Sequence, residues 1–89
     1  MTHLETIVSN VVLELIRRNA PATTHVDLDD ELVNKLGLQS LDIAELAAVL
    51  EEKFQYDPFA NGYPVGRLRT IRDLCVAYDH KNLEDPREP

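Results

Sequence analysis

Few side chains in this sequence are placed to do covalent chemistry, and Ser40 is the first of them. It stands in the run Leu36-Gly37-Leu38-Gln39-Ser40-Leu41-Asp42, immediately ahead of a helical period. A serine hydroxyl becomes a nucleophile only when a base takes its proton. No histidine lies in this run, and Asp42 cannot be assumed to reach the hydroxyl. Two readings follow: an N-cap that satisfies the first amides of a helix, or a hydroxyl presented to another protein that brings its own base. A hydrolase built on Ser40 lacks support, because no base or oxyanion constellation accompanies the serine.

The other reactive side chains lead elsewhere. Cys75 falls on an apolar helical stripe, where a cysteine acts as a small hydrophobe and its thiolate is disfavoured. His3, His25 and His80 are far apart, and no HxxxH, CxxC or Cys-His spacing offers a metal site. Gly37, Gly62 and Gly66 make no phosphate-cradling loop. Carboxylate pairs are plentiful after Ser40, but no apolar wall is evident that would split their pKa values for acid-base work. The chain therefore reads as a protein without catalysis of its own.

Charge is unevenly spread. Residues 27–57 hold nine acids against Lys35 and Lys53, which accounts for the whole formal net charge of -7 over 89 residues, while the two flanking segments are each neutral. That balance argues against nucleic acid and anionic membranes as partners and favours basic protein surfaces. The lone cysteine excludes an internal disulfide and suits a reducing, cytoplasmic setting. Glu5 and Glu14 interrupt the stretch where an export signal would need to be apolar, and the longest apolar run, Leu46 to Leu50, is too short to span a bilayer.

The elements that must position Ser40 follow from hydrophobic spacing. Leu4, Ile7, Val8, Val11, Val12, Leu15 and Ile16 recur with helical period, and Thr2 with Glu5 forms a capping box, predicting a first helix over about residues 3–18. A long ordered loop follows, pinned by Leu28, Leu32, Leu36 and Leu38. The period returns from Ser40 to Phe54, with Ser40 suited to the N-cap and Ile43, Leu46, Ala47, Leu50 and Phe54 on the inner face. The small Ala47 predicts free space there. Asp57-Pro58 with Gly62 predicts a short third helix of about one turn. Thr70 and Asp73 frame a last cap, and Ile71, Leu74, Cys75 and Tyr78 continue as a helix to about His80. The expected fold is all-α, a small four-helix bundle within residues 1–80, with residues 81–89 as a disordered tail.

On the outer face of the second helix, Leu41, Ala44 and Ala48 fall together at ~100° per residue, bordered by Glu45, Glu51 and Glu52, with Asp42 beside the serine. This small apolar strip ringed with acid is either a solvated face or a docking patch for a basic partner.

The Gly37-Leu38-Gln39-Ser40-Leu41-Asp42 segment, running into Ile43-Ala44-Glu45-Leu46 and Leu50-Glu51-Glu52-Lys53-Phe54, resembles the acyl carrier proteins. The likeness extends more loosely through the first helix, the long loop and Thr70-Ile71-Arg72-Asp73-Leu74. The resemblance implies a four-helix bundle in which Ser40 carries 4'-phosphopantetheine, attached from coenzyme A by a magnesium-dependent phosphopantetheinyl transferase. Acyl groups would then ride on the arm as thioesters, with the space beside Ala47 open to them. It also implies a monomer visited by acyl-loading, acyl-modifying and acyl-transferring enzymes whose basic surfaces meet Leu41, Asp42, Ala44, Glu45, Ala48, Glu51 and Glu52.

Two positions depart from the family's habit. Gln39 stands where an aspartate is common, and Arg67 and Arg69 occupy a region that members serving fatty-acid synthesis usually make acidic, which points toward a dedicated pathway. Leu38 after Gly37 looks more like an acyl than a peptidyl carrier. An aminoacyl or peptidyl carrier, or a structural adaptor of the same fold without the arm, are the alternatives.

Overall fold

The computed structural model describes residues 2–79. The first helix, α1 (His3–Arg17), begins where the sequence places a cap: Thr2 Oγ1 accepts from Glu5 N–H at 3.1 Å, and Glu5 Oε1 accepts from Thr2 N–H at 2.9 Å. Those two bonds satisfy amides that the helix itself leaves without partners. Its apolar stripe then buries Val8, Val11, Val12, Leu15 and Ile16. Ser9 is carried inward beside them, and its hydroxyl is buried without a partner among the described residues.

After α1 the chain crosses a long loop in which Leu32 and Leu38 are buried and Leu28 and Leu36 pack against the core. Backbone bonds hold it to the start of the last helix. Leu32 N–H donates to Arg69 O at 2.8 Å, Arg72 N–H to Leu28 O at 2.7 Å, and Ile71 N–H to Asp30 O at 3.2 Å. An isolated antiparallel bridge pairs Glu31 with Thr70, and the described residues contain no strand. Arg72 adds a two-pronged contact to Asp29, at 2.8 and 3.2 Å. Gly37, at φ 74°, lets the chain reverse into the second helix, a conformation glycine adopts without steric cost.

The second helix, α2 (Ser40–Phe54), buries Leu46 and Leu50 and half-buries Ile43 and Phe54. It stops at Gln55, whose left-handed backbone (φ 53°, ψ 44°) breaks the repeat. The last helix, α3 (Ile71–Tyr78), opens on a second complete capping box: Asp73 N–H donates to Thr70 Oγ1 at 3.1 Å, and Thr70 N–H to Asp73 Oδ2 at 3.0 Å. It buries Ile71, Leu74, Cys75, Ala77 and Tyr78. The sequence expects this helix to run to about His80, whereas it ends at Tyr78. The expectation for residues 81–89 lies outside the described residues.

Between α2 and α3 the structure differs from the sequence reading. In place of a third helix at 57–62 the chain makes turns. Asp57 Oδ1 accepts from both Phe59 and Ala60 N–H, and Pro58 O accepts from both Asn61 N–H at 3.1 Å and Tyr63 N–H at 2.9 Å. Those carbonyl and carboxylate acceptors are used up in three- and five-residue closures, leaving no regular helical ladder, and Gly62 at φ 102° ends the segment. A 3₁₀ helix, Val65–Arg67, lies slightly further on. The architecture of the described residues is thus a small helical domain of three α-helices and one 3₁₀ helix, with α1 packed against both α2 and α3.

Candidate functional site

Ser40 is exposed at the first helical position of α2 and not at the cap the sequence predicts for it, because the helix starts one residue earlier. The cap is Gln39, in extended conformation at φ -104° and ψ 174°. Asp42 explains the shift: its Oδ2 accepts from Gln39 N–H at 2.9 Å, and an acid placed three residues after a cap selects that residue as the boundary. Ser40 is thereby relieved of capping, and no described residue hydrogen-bonds its hydroxyl. The first intrahelical bond, from Ile43 N–H to Gln39 O at 3.0 Å, locks the backbone around it. Leu46 and Leu50, 1% and 0% exposed, anchor the same helix in the core. The result is an exposed hydroxyl on a rigid support at the positive end of a helix dipole.

The acids of α2 divide into three kinds. Asp42, half-buried, serves the cap. Glu45 is held by Arg18 from the end of α1, whose Nη1 and Nη2 donate to Oε1 and Oε2 at 3.0 and 2.6 Å. Hydrogen bonding to Arg18 holds the Glu45 carboxyl below the usual carboxylate range; desolvation opposes it, and the Arg18 charge adds a smaller push downward. Glu51 and Glu52 are exposed and form no ion pair among the described residues. The neighbouring Asp57 carboxylate pushes the Glu51 pKa up, first by charge repulsion and also through burial and a shared hydrogen bond.

Of the residues predicted to form a docking face, Leu41 is 80% exposed, and Ala44 and Ala48 are exposed along the same helix. Ala48, Glu51 and Glu52 line an open hollow together with Gln55, Tyr56 and Asp57. The last three were absent from the predicted face. Asp57 carried a signal, since it belongs to the same acidic stretch, whereas the hollow itself depends on the left-handed turn at Gln55. Nothing in the sequence pointed to Arg18 as the partner of Glu45, since the two lie 27 positions apart.

Cys75 is 5% exposed, and burial, helped slightly by Glu5, pushes its thiol up to about 11. No three His, Cys, Asp or Glu side chains gather into a metal-holding group among the described residues. No described helix is long and apolar enough to cross a membrane. Comparison of the chain with protein-family models, with curated proteins and with solved structures finds no match.

Proposed function

We propose that this chain is a stand-alone acyl carrier: Ser40 accepts a 4'-phosphopantetheine arm, and partner enzymes of a fatty-acid, polyketide or other specialised biosynthetic pathway load, modify and remove acyl groups on it. The observation that carries the reading is Ser40 itself, exposed and without a hydrogen bond from its side chain among the described residues, at the first position of a helix fixed in the core and inside the segment that resembles the acyl carrier proteins. In this reading the turns and 3₁₀ helix of residues 58–67 take the place of the family's short third helix and complete a four-helix arrangement.

The residues present fit the arm. Attachment needs an accessible primary alcohol that can enter a transferase's active site, and Ser40 supplies one. Attachment from coenzyme A would form the Ser40 Oγ–P bond and break the pyrophosphate link, with adenosine 3',5'-bisphosphate leaving and the hydroxyl proton passing to a base of the transferase. Attached at Ser40, the phosphodiester would lie at a helix start, where amide N–H groups and the dipole favour an anion. When bound, the arm supplies a thiol that holds acyl groups as thioesters. This chain's own residues present and orient the anchor, and the outer face of α2 gives visiting enzymes something to read. Weak encounters steered by charge suit repeated handover, because steering raises association rates more than affinity.

Incubation with a broad-specificity phosphopantetheinyl transferase, magnesium and coenzyme A tests the proposal. The intact mass is expected to rise by one arm in the wild type and to stay unchanged in Ser40→Ala. An unchanged wild-type mass with several transferases would overturn it and leave the structural adaptor as the better reading.

A further inference from the structure

The small side chain of Ala47 invites the expectation of a hollow on the inner face of α2 that a fatty chain could enter. The structure fills that place with Tyr78 of α3. Tyr78 is 2% exposed, and its hydroxyl donates to Ala47 O at 3.3 Å. Its ring lies 6.0 Å from Phe54 at 37° and 6.3 Å from Phe59 at 85°, and Phe59 in turn meets Tyr63 edge-on at 6.2 Å. The two edge-on pairs made by Phe59 have a geometry favourable for aromatic rings. A chain of four rings thus runs from Phe54 of α2 through Tyr78 of α3 to Phe59 and Tyr63 of the connecting segment.

Where α2 faces α1, a cleft reaches Leu46 and Val49 but offers only about 50 Å³, and Arg18 and Glu45 stand at its lip. An apolar cavity that takes up even a benzene-sized guest measures ~150 Å³. Burial of Tyr78 raises its hydroxyl pKa to about 12, so the hydroxyl stays a neutral hydrogen-bond donor at any physiological pH.

We infer that the domain does not shelter its cargo: with Tyr78 seated against Ala47, the acyl group stays outside the helices, and the cargo class is short or polar acyl groups rather than long hydrocarbon chains. The inference rests on the carrier reading above. A long saturated chain left in water exposes apolar surface along its whole length, whereas a short or oxygenated acyl group exposes little. Admitting a long chain would require Tyr78 to leave a nearly sealed site, giving up its hydrogen bond and its contacts with two rings.

The test uses the full chain loaded at Ser40 by a transferase from acetyl- and octanoyl-coenzyme A. Thermal melting and the rate of thioester cleavage by hydroxylamine are measured, with free acetyl- and octanoyl-pantetheine as references. The wild-type acetyl and octanoyl forms are expected to melt at the same temperature and to be cleaved in the same ratio as the free thioesters. A higher melting temperature together with severalfold protection of the octanoyl form would overturn the inference. In Tyr78→Val, which opens the site, octanoyl but not acetyl is expected to raise the melting temperature. A folded Tyr78→Val protein showing no such gain would overturn the assignment to Tyr78, and if that variant does not fold, the wild-type comparison decides alone. Failure to load either group at Ser40 would instead count against the carrier reading.

Discussion

Arg18, the residue that closes α1, grips Glu45 of α2 with both guanidinium nitrogens, at 3.0 and 2.6 Å. The contact ties the end of one helix to the first half of the next, close along α2 to Ser40. It also commits one of the acids of α2 to an internal role. Of the other acids of α2, Glu51 and Glu52 lie further down the helix, in the hollow that Asp57 also lines.

This pairing sets a pH response. A carboxyl whose pKa falls on folding contributes stability that is present above the unfolded value, near ~4.3 for glutamate, and is lost as pH drops through the lower folded value. Glu45 with Arg18 and Asp29 with Arg72 both have this sign. Glu51 has the opposite sign, because Asp57 raises it, so its contribution is lost as pH rises. Glu45→Gln is expected to lower the melting temperature at neutral pH by a small amount that shrinks in acid and in high salt, since the pair is exposed. Glu45→Lys is expected to lower it further, and adding Arg18→Glu to recover it. A deficit unchanged across pH would show that the ion pair is not its cause.

The core makes a sharper demand. Leu46→Ala and Leu50→Ala each remove a nearly sealed side chain and are expected to cost ~2–5 kcal/mol, a large part of a small domain's stability. Leu41→Ala, at a position 80% exposed, is expected to stay within ~0.5 kcal/mol. Urea denaturation midpoints distinguish the two classes, and similar midpoints for all three variants would contradict the packing described.

Cys75 is expected to resist alkylation in the folded protein. Its thiol titrates at about 11, raised from the ordinary value by burial, so at pH 8 almost no thiolate is present and the sulfur is hardly accessible. Iodoacetamide should label it slowly in buffer and quickly in urea. Because the folded pKa is raised, the associated stability is complete below the unfolded value and is lost only as pH rises toward 11. Fast labelling under native conditions would contradict its place in the core.

The docking claim is tested with Glu51→Lys and Glu52→Lys together, which leave the Arg18–Glu45 contact untouched. Loading by a partner enzyme is expected to slow severalfold at low salt, and wild type and variant to converge as salt screens the interaction. Folding should be preserved, because replacing Glu51 also removes its repulsion with Asp57. Equal loading rates at low salt would place recognition elsewhere, with Arg67 and Arg69 the next residues to replace.

Local signals carried much of the fold. The Thr2–Glu5 and Thr70–Asp73 caps and the apolar stripes of all three α-helices were legible because each depends on residues three or four positions apart. Gln39 displaced Ser40 as the cap because a carboxylate three residues on outweighed the intrinsic preference of serine. The helix expected at Asp57–Gly62 had a start and a stop but nothing between them to sustain a ladder. Ala47 looked like space because its filling, Tyr78, comes from 31 positions away. Arg18 with Glu45 is a tertiary pairing of the same kind, invisible to any local pattern. At the site, the exposure of Ser40 followed from its place at a helix start, whereas the division of the acids into those that cap, those that bridge and those that face solvent required the assembled structure.

The central claim is that Ser40 carries a phosphopantetheine arm, and mass spectrometry of the protein purified from its own cells tests it most directly. The intact mass is expected to exceed that of the bare chain by one arm, with or without an acyl group, and the peptide spanning Ser40 is expected to carry the whole difference. An intact mass equal to the bare chain throughout, or an arm on a peptide lacking Ser40, would contradict the account.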